Sequence, residues 1–111
     1  MLATDASLGA RQLKRLAKRG ALGLGRTASY AANGSGDIVI AFSTAQRVPH
    51  QGGSPTHSFH FLLDSDNQMD HLFAASAEAV EEAILNALCT ASAMTGRDGH
   101  FRPALRDNLF P

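Results

Sequence analysis

The chain has 111 residues, 44 % of them apolar and 18 % charged, and its ten basic and ten acidic residues cancel. That length fits one domain or a large piece of one, and that composition excludes a disordered chain. The zero net charge gives no general reason to expect nucleic acid or an acidic membrane as partner, and the single cysteine, Cys89, excludes an intrachain disulfide and a thiolate metal cluster.

Met1–Asp5 is short and abrupt, a strand stub that reads as the end of something longer. A helix is predicted from Ala10 to Leu24. Leu13, Leu16, Ala17, Ala21 and Leu24 recur at steps of three, four and seven and form one apolar stripe. Gly20 lies on that stripe and allows close packing, at about 1 kcal/mol of helix propensity. Arg11, Lys14, Arg15, Lys18 and Arg19 take the other face, and Gly23 and Gly25 are expected to end the helix.

A turn-rich loop, Thr27–Gly36, leads into Asp37–Ser43, a β-rich run with little alternation. Such a run marks a strand covered on both faces. Arg47–Ser58 carries two prolines and Gly52-Gly53 and reads as a loop or hairpin tip. Ser58–Leu63 reads as a second, shorter strand. A long helix is predicted from about Asn67 to Met94, with Met69, Leu72, Phe73, Ala77, Val80, Ile84, Leu88 and Ala91 in helical period. Asp66 or Asn67 can cap its start and Gly96 its end.

The fold class expected is therefore α/β, in layers: strand stub, helix, strand, strand, long helix. Two amphipathic helices and a strand covered on both faces cannot be satisfied by two or three strands alone. The open edges call for a partner piece to complete the core.

The most pointed segment for chemistry is Asn33-Gly34-Ser35-Gly36-Asp37. Ser35 and Asp37 are two apart at the mouth of a strand, so their side chains share a face. The flanking glycines let a backbone or substrate approach. A hydroxyl beside a carboxylate can bind an ammonium group or orient a second hydroxyl; the same residues also fit a plain turn. His57 and His60 are three apart, on opposite faces of a strand, and do not converge on a metal; His50, His71 and His100 are scattered. The basic face Arg11–Arg19 lacks interleaved aromatics and reads as a solvated face balanced by Glu78, Glu81 and Glu82. Thr95–His100 reads as a polar turn with an Arg97–Asp98 pair. There is no Gly-x-Ser-x-Gly elbow and no Cys/His signature.

Several motifs stand together in order. They are Ala3-Thr4-Asp5-Ala6, Gln12–Ala17, Gly25-Arg26-Thr27, Gly34–Ile38, Ala41–Ala45, Glu82-Ala83-Ile84 and Thr95–Gly99. In this order the chain resembles the L-aminopeptidase/D-esterase and β-peptidyl aminopeptidase family over nearly its whole length. The resemblance implies a precursor that cuts itself into a larger α and a smaller β polypeptide, the β piece opening on a nucleophilic serine. It implies a four-layer αββα sandwich like that of N-terminal-nucleophile hydrolases, oligomeric in the intact family. Short peptides, amides or esters with a free amine would be the substrates, with no metal or organic cofactor. An N-terminal serine carries its own amine, a base of lower pKa than a lysine, beside its hydroxyl.

By the same resemblance, residues 1–111 are the C-terminal, β-chain portion of a single aminopeptidase domain, a partial αββα sandwich, with the α portion absent. Ser35 matches a second active-site serine. Asp37 matches an acidic position that holds the nucleophile and the substrate ammonium. Ser7 stands where the family commonly has proline, and Arg47–Phe61 is less typical. The family's serine-led run of β-branched residues precedes Ala-Thr-Asp-Ala, whereas here Met1-Leu2 precede Ala3. No residue of this chain takes the nucleophile's place, so it is expected to be inactive alone. The alternative is a non-catalytic remnant or partner-binding fragment. A nucleic-acid or acidic-ligand module would rest on the basic helix alone. No apolar stretch of 7–15 residues opens the chain and none approaches the ~20 of a membrane span, so a cytoplasmic protein is expected.

Overall fold

The structure is a computed structural model that describes residues 1–51, 53–65 and 67–109. In chain order it contains β1 (Leu2–Thr4), α1 (Ala10–Arg26), β2 (Ala41–Ser43), α2 (Gln68–Thr90), β3 (Met94–Thr95), β4 (Phe101–Arg102) and α3 (Leu105–Leu109). β1 and β2 pair in parallel, with Leu2 opposite Ala41 and Thr4 opposite Ser43. β3 and β4 form an antiparallel pair. The two long helices pack on each other and α1 also covers β2.

α1 forms as its apolar stripe predicts, and its start is fixed by a residue the stripe does not include. Gln12 is buried, yet its side chain is satisfied on every side. Its Oε1 accepts the Gly9 N–H at 2.9 Å. Its Nε2 donates to the Leu62 carbonyl at 2.7 Å and to Asp64 Oδ1 at 2.8 Å. One side chain thus closes the helix start and ties it to a segment fifty residues away. The Arg11 guanidinium bonded to Asp64, with the Gln12 amide, holds the Asp64 carboxyl below the usual carboxylate value.

Gly23 and Gly25 do not end α1, which runs on to Arg26 with Thr27 as its C-cap. Gly23 is buried against α2: a Cβ there would stand 2.8 Å from the Val80 Cβ. Gly20 does what its place on the stripe predicts. A Cβ on it would meet Val39 Cγ1 at 3.2 Å and Leu2 Cδ1 at 3.5 Å, so the helix lies directly on the strands there. The buried hydroxyl of Ser76 donates to the Leu16 carbonyl at 3.1 Å and links the helices.

The small core is built from Leu8, Leu16 and Met69, with Leu13, Leu62, Leu72 and Phe73 packed against it. Burying side chains of this size contributes about 1.5–3 kcal/mol each. The basic face of α1 is not wholly solvated. Arg15 and Arg19 lie over the Phe73 ring, at 5.0 and 3.9 Å from its centroid, and Arg26 pairs with Glu81 at 3.3 Å.

Three predicted elements are shorter or different. Of Asp37–Ser43, only Ala41–Ser43 is laddered, with one further bond from the Leu2 N–H to the Ile40 carbonyl at 2.8 Å. β1 spans Leu2–Thr4, and among the described residues no strand pairs with 37–39. Nor is this run covered on both faces: Val39, Ala41 and Ser43 are half-buried, while Ile38, Ile40 and Phe42 are exposed. Ser58–Leu63 joins no ladder among the described residues; the Leu62 N–H bonds the Ser7 carbonyl at 2.8 Å instead. Its rings form an aromatic row, with Phe59 and Phe61 stacked 6.2 Å apart and His57 edge-on to Phe59 at 4.9 Å.

α2 stops at Thr90, not Met94, because Ala91 turns to extended backbone and Met94 enters β3. Gly96 therefore does not cap it; the Gly96 N–H bonds the His100 carbonyl at 2.8 Å across the β3–β4 turn. Arg97 and Asp98 pair in that turn at 3.4 Å, with Asp98 and Gly99 at positive φ. Asn67 takes the α2 N-cap position without a side-chain bond, and the alternative cap, Asp66, lies outside the described residues.

The radius of gyration is 18.9 Å, against about 13 Å for a closed globule of this length. Large apolar side chains stand uncovered on the outer strand face.

Candidate functional site

Ser35 and Asp37 are brought together as their spacing predicts. The Ser35 hydroxyl donates to Asp37 Oδ2 at 3.3 Å, and both side chains are exposed. The turn beneath them is closed by the Ser35 N–H to the Ala32 carbonyl at 2.7 Å. A Cβ on Gly34 or Gly36 would meet nothing within 4 Å. Neither glycine is required by a close contact or a positive φ among the described residues.

The pair stands at the N-terminal end of the run that becomes β2. Asp37 also lines a cavity of about 260 Å³ between this run and the helices, together with Leu2, Gly20, Val39, Val80 and Ile84. The sequence did not reveal this cavity. Its one trace was Gly20 on the apolar stripe, which lets α1 come close to Leu2 and Val39 at the cavity wall.

The parallel register fixes what lies beside the pair. Leu2 is opposite Ala41. Continued upstream, a residue four positions before Leu2 would stand opposite Asp37, and one five before it opposite Gly36.

The other sequence candidates do not join this site. His57 belongs to the aromatic row. His71 lines a separate cleft with Ser7 and Leu72. Cys89 is exposed on the outer face of α2 beside Glu82. Among the described residues no group of three or more His, Cys, Asp and Glu side chains is arranged to hold a metal ion. Among them, too, no helix is long and apolar enough to cross a membrane.

Known proteins share this sequence and this arrangement. The family model described as peptidase family S58 matches residues 1–102. A β-peptidyl aminopeptidase of Sphingosinicella microcystinivorans is 42 % identical over 100 residues, which is 90 % of this chain and 25 % of that protein. Its counterpart in Sphingosinicella xenopeptidilytica is also 42 % identical, over 97 residues. Among solved structures, a protein of Pyrococcus horikoshii OT3 superposes with a TM-score of 0.81 at 52 % identity, covering 95 % of this chain and 29 % of its own. The L-aminopeptidase D-Ala-esterase/amidase of Ochrobactrum anthropi, described as a prototype for the serine aminopeptidases and a variant of the Ntn hydrolase fold, superposes with a TM-score of 0.78 at 38 % identity, covering 91 % and 28 %. The chain thus spans about a quarter of the length of the curated relatives it matches. With nearly all of its residues matched by that family model and its fold shared with those structures, the chain belongs to peptidase family S58.

Proposed function

We propose that residues 1–111 are the C-terminal, β-chain portion of a serine aminopeptidase that removes N-terminal residues from short peptides, amides or esters. Ser35 and Asp37 are its supporting site residues. The observation that carries this reading is the hydrogen-bonded Ser35–Asp37 pair, exposed on a turn whose glycines leave the approach open. The Asp37 carboxylate would take the substrate ammonium, and the Ser35 hydroxyl would orient the nucleophile's hydroxyl.

In the family the nucleophilic serine precedes Ala-Thr-Asp-Ala by several residues. The β1–β2 register, continued upstream, would carry such a residue toward the Ser35–Asp37 turn. Met1-Leu2 supply no such serine, and the oxyanion-stabilising groups and much of the pocket would come from the α portion, the proposed partner. The exposed Ile38, Ile40 and Phe42 face suits that partner. An oligomeric, cytoplasmic enzyme needing no cofactor belongs to the same proposal.

The chain by itself is expected to hydrolyse nothing, because losing the nucleophile removes on the order of a millionfold in turnover. The test compares the purified chain with a chimera in which it replaces the matching quarter of the Ochrobactrum enzyme. The chimera keeps that enzyme's own residues ahead of Ala3. Release of p-nitroaniline from an alanine anilide is expected from the chimera only. Ser35→Ala and Asp37→Asn in the chimera should each lower kcat/KM by at least about tenfold with the fold intact. Hydrolysis by the chain alone, or chimeras indifferent to both substitutions, would sink the reading.

A further inference from the structure

Asn33 and Gly34 are the central residues of the turn beneath the Ser35–Asp37 pair. The Ser35 N–H closes that turn on the Ala32 carbonyl at 2.7 Å, and neither central residue has a positive φ. Those are the marks of a type I turn, whose middle N–H takes no part in the closing bond. Among the described residues the Gly34 N–H makes no backbone hydrogen bond. Both central residues are exposed, and a Cβ on Gly34 would meet nothing within 4 Å. With no side chain of its own, Gly34 leaves its nitrogen unshielded beside the Asn33 side chain.

The other asparagines are placed differently. Of the four in the chain, Asn33 is the one followed by glycine. Asn67 stands at the N-cap of α2 and Asn86 lies within that helix, where the following main-chain N–H is held in the helical ladder. The Asn108 side chain bonds the Ala104 carbonyl at 3.3 Å.

We propose that Asn33 is a self-modification site, at which the Gly34 main-chain nitrogen attacks the Asn33 side-chain amide. A bond forms from that nitrogen to Asn33 Cγ, the Cγ–Nδ2 bond breaks, and ammonia leaves with the proton from Gly34. Water then opens the cyclic imide. Opening at Cγ leaves aspartate. Opening at the main-chain carbonyl leaves isoaspartate, with the chain now routed through the side chain. Either product sets a new carboxylate beside Ser35 and Asp37, and isoaspartate also lengthens the turn that carries Ser35 by a methylene. Water is the sole co-reactant, and the chemistry stands whether or not the parent is an aminopeptidase. Asp98-Gly99 is a poorer site for the same attack: its carboxylate is charged and paired with Arg97 at 3.4 Å.

The test ages the purified 111-residue chain at neutral pH and physiological temperature and follows its tryptic peptides by mass spectrometry. Peptide Thr27–Arg47 should gain the mass of an amide-to-acid exchange at least about tenfold faster than the peptides carrying Asn67, Asn86 and Asn108. The product should be mostly isoaspartate, read by resistance to a protease that cuts before aspartate. The rate should rise with pH, because the attacking nitrogen must lose its proton. Gly34→Ala, which the open space around the turn accommodates, should slow the reaction at least about tenfold. Ageing in urea gives the unfolded reference, and the native rate should be at least about one-tenth of it.

Equal rates at all four asparagines overturn the proposal, as does indifference to Gly34→Ala. Aspartate without isoaspartate overturns it as well, because that outcome means direct hydrolysis with no imide. A native rate below one-tenth of the urea rate means that the folded turn protects Asn33, and it too overturns the proposal.

Discussion

Gly23 of α1 and Val80 of α2 approach so closely that a methyl group on Gly23 would stand 2.8 Å from the Val80 Cβ, and closer still to the Ala77 carbonyl oxygen. This contact fixes the separation of the helices. Alanine at an ordinary helical glycine gains up to about 1 kcal/mol of propensity. At Gly23 the overpacking term, about 1–3 kcal/mol, opposes it, and the atom in the way is backbone. Gly23→Ala is predicted to lower stability by about 1–2 kcal/mol. Gly25→Ala, where a Cβ meets nothing within 4 Å, is predicted to be neutral or stabilising. Urea midpoints of the two variants check this; a stabilised Gly23→Ala would refute the contact.

Asp64 gives the fold a pH dependence with a defined sign. Its carboxyl is held below the ordinary aspartate value, first by the hydrogen bond from Arg11 and next by that from Gln12. A carboxylate whose folded pKa is depressed contributes stability that is full above its unfolded value. That stability is lost as the pH falls through the lower, folded one. The chain is therefore predicted to lose stability below about pH 4 more steeply than Asp64→Asn does. Melting temperatures of both proteins between pH 2 and 6 test it. Parallel curves would mean that the ion pair does not couple to folding.

Phe73 lies under two guanidinium groups, with Arg19 the closer at 3.9 Å. Phe73→Leu should lose the ring's attraction to the cations while keeping most of the apolar contact. In a double-mutant cycle with Arg19→Ala, a coupling of about 0.5–1 kcal/mol is predicted. Additive losses would reduce the arrangement to simple packing.

Ser7 gathers three segments. Its hydroxyl donates to the His60 carbonyl and accepts the Gln46 side-chain amide at 2.5 Å, while its own carbonyl takes the Leu62 N–H. Both stems of the intervening loop are thus tied to one residue. Ser7→Ala is predicted to lower stability by about 1 kcal/mol and to speed tryptic cleavage after Arg47. Unchanged cleavage would show that Gln46 and Leu62 hold the loop without the hydroxyl.

The helical period of Leu13, Leu16 and Leu24, and of Met69, Leu72, Ala77 and Val80, was enough to place α1 and α2. Periodicity is a local property, set by which side chains must leave water. The Ser35–Asp37 pairing was legible too, because residues two apart on an extended backbone share a face. The ordered motifs pointed to the family for a related reason: they keep residue types at fixed separations.

What stayed hidden depended on the distant parts of the chain. Gly23 and Gly25 read locally as a helix end, but only the approach of α2 explains why a glycine is needed within the helix. Met94 fits the helical period, yet Met94 and Thr95 pair with Phe101 and Arg102, and a ladder outweighs a period continued by one turn. In sequence Arg15 and Arg19 read as solvated cations, and only the packing of α2 sets Phe73 beneath them. Strand pairing is the largest such case. Residues 37–43 and 58–63 both have strand composition, but a strand is made by its neighbour's hydrogen bonds. The sequence by itself determined the helices, the Ser35–Asp37 turn and the family likeness. The tertiary structure alone decided which extended segments are paired, which edge is left open and how closely the helices sit, because those depend on contacts between residues far apart in the chain.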